Sequence, residues 1–209
     1  QGVERFQNSD FNGAIQSFKQ VDKYPVDAAI SAQAIYWIAD ANYRIPNYNA
    51  AIDAYKKYIT LPGNKADLKA ESHYNIGYAF LQKTELTKSI ESFRVFIQEP
   101  NINKAKHADA LMRIADGYYV LKENEQAVKY YQDVVNLKGG HEDQALYYMG
   151  RTYGYMSGKT SEKIRNRVKN AREDAYIDPF GNHHRVGNGG FSLRSKKLLS
   201  NKFGLFCIK

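Results

Sequence analysis

Residues 38–59 read IADANYRIPNYNAAIDAYKKYI, and their pattern recurs along the chain. Ala51 in this stretch aligns with Ala14, Ser89 and Ala127, at a nearly constant step. Each is followed by Ile or Val, and four positions on by an aromatic: Phe18, Tyr55, Phe93 and Tyr131. Three further on stand Val21, Tyr58, Phe96 and Val134, and twelve before each small residue lies another: Gly2, Ala39, Gly77 and Ala115. Pro25, Pro62 and Pro100 close three of the units. A fixed period of this length marks an array of supersecondary units.

Each unit reads as two helices. Apolar residues at helical spacing run to about Arg44, Gln82 and Lys122. A break follows (IPN, TEL, KEN), and then a second amphipathic run that proline stops. In the fourth unit Gly139 and Gly140 take the place of that proline. The small residues are expected where two helix backbones approach closely, and the aromatics are expected to fill the gap to the following unit. The expected fold class is all-α: about 4.5–5 repeats of about 37–38 residues, as antiparallel helix pairs in a solenoid.

These landmarks resemble the tetratricopeptide repeat (TPR), whose usual period is about 34 residues. The longer period here resembles the TPR lipoproteins of bacterial cell envelopes, which implies a periplasmic or outer-membrane-associated location. The resemblance covers roughly residues 1–157. It implies a right-handed superhelix and a non-catalytic scaffold that binds a protein or peptide, with no cofactor. Units are expected at about 1–25, 27–62, 66–100, 104–138 and 142–175. SEKIRNRVKNARED would supply a capping helix from Ser161 to about Ala175, polar on its outer face.

The formal charge of +8 is unevenly spread. Residues 1–150 carry 17 basic and 18 acidic side chains, whereas residues 151–209 carry 13 and 4. The array is thus near neutral, and the basicity belongs to the last quarter. No apolar run of membrane-spanning length occurs. A lone cysteine, Cys207, makes an internal disulfide impossible. Gly2 already sits at a mid-helix position of the pattern, so the chain reads as starting inside a unit, with an apolar face open to self-association.

From Tyr176 the chain becomes turn-rich, irregular and basic. VGNGGFSLRSKKLL (186–199) resembles a glycine-rich stretch of a glycosyltransferase-like family, over roughly Tyr176 to Asn201 at most. Residues 176–209 therefore read either as a native extension, as a foreign or chimeric segment, or as a fragment of such an enzyme. Arg185, Arg194, Lys196, Lys197 and Lys202 with interleaved Phe191, Phe203 and Phe206 could meet an anionic polymer or membrane surface. No nucleic-acid motif accompanies them, and nucleic acid is not the expected partner.

The TPR resemblance places the first helix of each pair on the concave face. It implies partner-binding positions at Tyr36, Asp40, Tyr43 and Arg44 in the second unit and at Tyr74, Tyr78 and Gln82 in the third. Asp116 and Tyr119 follow in the fourth, and Tyr147, Arg151 and Tyr155 in the fifth. Gln33, Glu71, Asp109, Met112 and Gln144 share the same offsets. Tyrosine offers a large flat contact and a hydroxyl at small entropic cost, which suits an extended peptide. The two-carboxylate clamp of chaperone-binding TPRs needs Lys and Asn where this chain has Tyr36, Asp40, Tyr74, Tyr78, Met112 and Asp116, so that chemistry is not expected.

No catalytic set, phosphate-binding loop or dinucleotide fingerprint appears. His73, His107 and His141 recur at an even step, but they precede Gly77, Ala115 and Gly150 by four, eight and nine positions. They fall at different heights on successive helices, and no metal site is expected from them. His183, His184 and Cys207 lack a zinc-like spacing.

Overall fold

The computed structural model is described over residues 1–23 and 27–156. Among these residues there are nine helices and no strand. They are α1 (Gly2–Gln7), α2 (Phe11–Lys23), α3 (Ala28–Arg44), α4 (Tyr48–Thr60), α5 (Ala66–Gln82), α6 (Leu86–Phe96), α7 (Lys104–Val120), α8 (Asn124–Leu137) and α9 (Glu142–Met156). The expected capping helix after Ser161, the glycosyltransferase-like stretch and the basic tail lie outside the described residues.

Local chemistry starts and stops these helices. Asp27 caps α3 by accepting from the Ala29 N–H at 2.8 Å, and Asn103 caps α7 by accepting from Ala105 at 2.9 Å. Leu61 turns extended ahead of Pro62 and ends α4. In the fourth unit the stop comes one residue before the expected glycines. Lys138 itself takes the left-handed conformation (φ 52°) that ends α8. Gly139 matters for another reason. A Cβ there would stand 2.7 Å from the Lys104 carbonyl oxygen, so only glycine allows the approach to α7.

Each helix packs on its neighbours in sequence, and α3 also touches α5 directly. Within a pair, the aromatic of the second helix lies over the small residue of the first. A Cβ on Gly77 would meet the Phe93 ring at 2.9 Å, and one on Gly2 the Phe18 ring at 2.8 Å. Ser89 donates its hydroxyl to the Gly77 carbonyl at 2.8 Å, tying the two small positions of that unit together.

The same aromatics also reach forward. Phe93 shares a cluster with Ala110 and Ile114 of the next first helix, and Tyr131 stacks on Tyr148 at 6.0 Å. Ile97, Tyr118 and Tyr130 border two successive clusters, so the core runs on from α5 through α9. Burying large aromatic surfaces between units makes each pair depend on its neighbour, the energetic basis of a solenoid.

Candidate functional site

Side chains of successive first helices meet in three places. The first is an open depression of about 420 Å³ between α3 and the start of α5. Gln33, Tyr36, Trp37 and Asp40 line one side, and Lys65, Asp67, Leu68 and Glu71 the other. Tyr36 is 9% exposed, because its ring packs edge-on against Tyr55 and Tyr58 at 5.7 and 5.3 Å. Asp40 accepts from the Tyr55 hydroxyl at 3.4 Å, and that hydroxyl accepts from the Asn75 side chain at 3.0 Å. Burial raises the Asp40 carboxyl above its ordinary pKa, against the opposing pull of Arg44, 3.9 Å away, and of the Tyr55 hydroxyl.

The second is a polar network centred on Asp109. The hydroxyls of Tyr74 (2.7 Å) and Tyr78 both donate to one oxygen of Asp109. Arg113 donates to Asp109 at 3.3 Å and to Asp116 at 3.0 Å. Asp116 also accepts from the Tyr131 hydroxyl at 2.9 Å, and His141 stands 3.8 Å from Asp109. Burial raises the Asp116 carboxyl although Arg113 and Tyr131 lower it. Burial works against the Arg113 guanidinium, but Asp116 and Asp109 hold it above its ordinary value. Nearby, Lys106 of α7 reaches Glu71 of α5 at 2.6 Å. The network thus spans three helices, with Arg113 bridging its two carboxylates.

The third is an aromatic cluster at α7 and α9. The Arg151 guanidinium lies 6.0 Å from the Tyr119 ring centre and 5.9 Å from that of Tyr147, and donates to the Tyr155 hydroxyl at 3.3 Å. Hydrogen bonding to Arg151 holds the Tyr155 phenol below its ordinary pKa.

Nine of the twelve residues singled out in the sequence fall in these three groups. Three do not. Tyr43 turns its ring onto Tyr48 of its own unit at 5.6 Å. Arg44, 57% exposed, and Gln82, at the end of α5, stand at the helix ends. Met112, which shares the first-helix offsets, is fully buried in the cluster with Tyr131 and Val134, so it is core rather than surface. Arg113 and Trp37 were not singled out. The signal for Arg113 is in the sequence: Asp109, Arg113 and Asp116 sit at i, i+4 and i+7, on one helix face. Trp37 lies next to Ile38 and the aligned Ala39, but its sandwich between Phe6 and Phe18 depends on α1 and α2 and leaves no local mark.

Among the described residues no group of three His, Cys, Asp or Glu side chains could hold a metal, and no helix is long and apolar enough to cross a membrane. Models of the tetratricopeptide repeat match residues 1–67 and 109–137. The described residues have the fold of a tetratricopeptide-repeat solenoid. Solved structures agree on the fold. A crystal structure of MamA superposes with a TM-score of 0.63 at 20% identity, over 83% of this chain and 91% of that one. MamA from Desulfovibrio magneticus RS-1 gives 0.59 at 13%, over 81% and 88%. YrrB, described as a TPR protein with an unusual peptide-binding site, gives 0.59 at 14%, over 83% and 84%. A search of the curated proteins gives no match. A TPR solenoid is a fold typical of protein–protein interaction, and the three side-chain groups are where this one gathers polar and aromatic atoms.

Proposed function

We propose that this chain is a non-catalytic scaffold that binds an extended peptide or protein segment along its first helices. The contacts would run from the depression at Tyr36 and Asp40, past Tyr74, Tyr78 and Asp116, to Tyr119, Tyr147, Arg151 and Tyr155. The observation that carries the reading is the Asp109 network. Tyr74, Tyr78, Arg113 and Asp116 are held in place by their own hydrogen bonds before any partner arrives. A surface ordered in advance avoids the entropic cost of freezing rotamers on binding, so more of the contact energy appears as affinity. The tyrosine content of the face suits hot-spot contacts. YrrB, which shares this fold, is described as having a peptide-binding site, and a peptide is the class of partner proposed here.

The test is selection of random twelve-residue peptides on the purified chain. Binding of the selected peptides is then compared for Gln33→Arg and Asp67→Lys, both at the depression, and for Asp133→Lys on the second helix α8. The expected result is a loss of about tenfold or more for the first two, equivalent to about 1.4 kcal/mol, and no change for the third. Equal affinities in all three, or no selected peptide, would sink the proposal.

A further inference from the structure

We infer that the depression between α3 and α5 receives the guanidinium of an arginine in the bound peptide, among Asp40, Asp67 and Glu71 and beside the rings of Tyr36 and Trp37; this rests on the peptide-binding reading above. The junction of α5 and α7 shows what these positions hold when they are complete. There Arg113 joins Asp109 at 3.3 Å and Asp116 at 3.0 Å, and Tyr74 and Tyr78 of the preceding first helix donate to Asp109. The equivalent positions one period earlier are Glu71 for Asp109, Tyr36 for Tyr74, Asp40 for Tyr78 and Asn75 for Arg113. The junction of α3 and α5 has thus gained a carboxylate and lost the guanidinium. Asn75 carries no charge and donates to the Tyr55 hydroxyl at 3.0 Å. Between the two helices lies the open space of about 420 Å³, lined by three carboxylates and one basic residue, Lys65.

The chain's own cations use only part of each carboxylate. Arg44 and the Tyr55 hydroxyl both meet Oδ1 of Asp40, at 3.9 and 3.4 Å, and Lys106 meets Oε2 of Glu71 at 2.6 Å. Among the described residues the second oxygens, Oδ2 of Asp40 and Oε1 of Glu71, accept no hydrogen bond. Arg44 is exposed and at the edge of ion-pair range, a contact that solvent and salt weaken. Asp67 is exposed on the first turn of α5. Burial raises the Tyr36 phenol above its ordinary pKa, and the charges of Glu71 and Asp40 raise it further, so the wall of the depression feels their negative potential. A guanidinium suits this setting better than an ammonium. Its planar fork bonds carboxylates while its face can lie on a ring, and it gives up its hydration more readily. The peptide's arginine supplies to Asp40 and Glu71 from outside what Arg113 supplies to Asp109 and Asp116 from within.

The experiment uses the peptides selected above on the full chain. A shared arginine is expected among them. For one such peptide, replacing that arginine by citrulline, which keeps the shape and loses the charge, should weaken binding about tenfold, and so should Glu71→Gln in the protein. Combining both changes should lose little more than either alone. A peptide with lysine at that position keeps the charge without the fork, and its affinity should fall between those of the arginine and citrulline forms. Peptides that bind but share no arginine, that bind as tightly with citrulline or lysine in its place, or that bind Glu71→Gln as tightly as the unaltered chain overturn this inference while leaving peptide binding intact. No bound peptide at all overturns both. Helical circular dichroism of the variant separates loss of binding from loss of fold.

Discussion

Tyr131 of α8 donates its hydroxyl to Asp116 of α7 at 2.9 Å. Two periods earlier, Tyr55 of α4 stands in the same relation to Asp40 of α3 at 3.4 Å. The third unit has neither member: Phe93 takes the place of the hydroxyl-bearing ring, and Tyr78 that of the carboxylate. A phenylalanine has no hydroxyl to satisfy, so no buried acceptor is needed opposite it. Instead Tyr78 packs edge-on against Phe93 at 5.2 Å and turns its own hydroxyl to Asp109. The repeat thus exchanges both partners together, keeping every buried polar atom of the pair bonded.

Removing the hydroxyl should expose this coupling. Tyr131→Phe leaves a partly exposed carboxylate with Arg113 as its remaining partner, and a hydrogen bond to a charged group is worth about 1.5–3 kcal/mol. A loss near the lower end of that range is expected in urea unfolding. Phe93→Tyr should also destabilise, by about 1–3 kcal/mol, because its hydroxyl would arrive buried without an acceptor. Adding Tyr78→Asp to Phe93→Tyr should recover part of that loss. A double-mutant cycle with no favourable coupling would show that the pairing is incidental.

The glycines divide by what stands over them. At Gly77 a Cβ would press on three atoms of the Phe93 ring at 2.9 Å, and that ring is fully buried. Gly77→Ala should therefore cost about 1–3 kcal/mol through overpacking, despite alanine's better helix propensity. Gly117 faces both Cδ1 and Cγ1 of the buried Ile90 at 2.8 Å, a thinner obstacle than a ring, so Gly117→Ala should also cost stability, but less than Gly77→Ala. At Gly150 a Cβ would meet nothing within 4 Å among the described residues, and Gly150→Ala should stabilise by about 0.5–1 kcal/mol. Thermal midpoints of the three variants should rise in that order; any other ranking counts against the packing account.

The helix pairs were legible because period, small residue, aromatic and proline all point to one architecture. Ala51 and Tyr55 could be placed in a helix interface from spacing alone. The face was harder to read. Offsets cannot tell Tyr74, which bonds Asp109, from Tyr43, which folds back onto Tyr48, because rotamer and neighbour decide where a ring goes. Met112 sits one helical turn before Asp116, yet it is buried as core while Asp116 is bonded at the network's edge. Nor does any residue type announce the left-handed turns, where threonine and lysine do what glycine usually does.

Those turns are a place to gain stability. Thr84 (φ 59°) and Lys122 (φ 65°) hold equivalent left-handed positions between the helices of the third and fourth units, one period apart. For an L-residue that conformation costs about 1–2 kcal/mol, and a β-branched one is the worst suited. Glycine removes the clash but adds unfolded-state entropy. The net gain expected for Thr84→Gly is about 0.5–1 kcal/mol, with Lys122→Gly somewhat less. A fall in the thermal midpoint for Thr84→Gly would mean that the bond from its hydroxyl to the Lys83 carbonyl matters more than the strain.

Acid should weaken the array through its histidines. Burial holds His73 below the ordinary imidazole value of 6.5, with Lys69 adding to it and Glu99 opposing; burial alone does the same to His107. Each folded pKa lies below its unfolded one, so the unfolded chain takes up these protons first. The stability involved is complete above the unfolded value and is lost as pH falls from about 6.5 towards the folded pKa. Asp40 and Asp116 act oppositely. Burial raises their folded pKa values above the unfolded 3.8, so protonation in the range above 3.8 favours the folded state. The histidine effect should therefore stand clear just below neutrality and be offset further down. Comparing urea midpoints at about pH 7.5 and about pH 6.0 isolates it: the native chain should lose stability over that step, and the His73→Gln, His107→Gln double variant should lose less. Equal losses in the two proteins would place the acid sensitivity elsewhere.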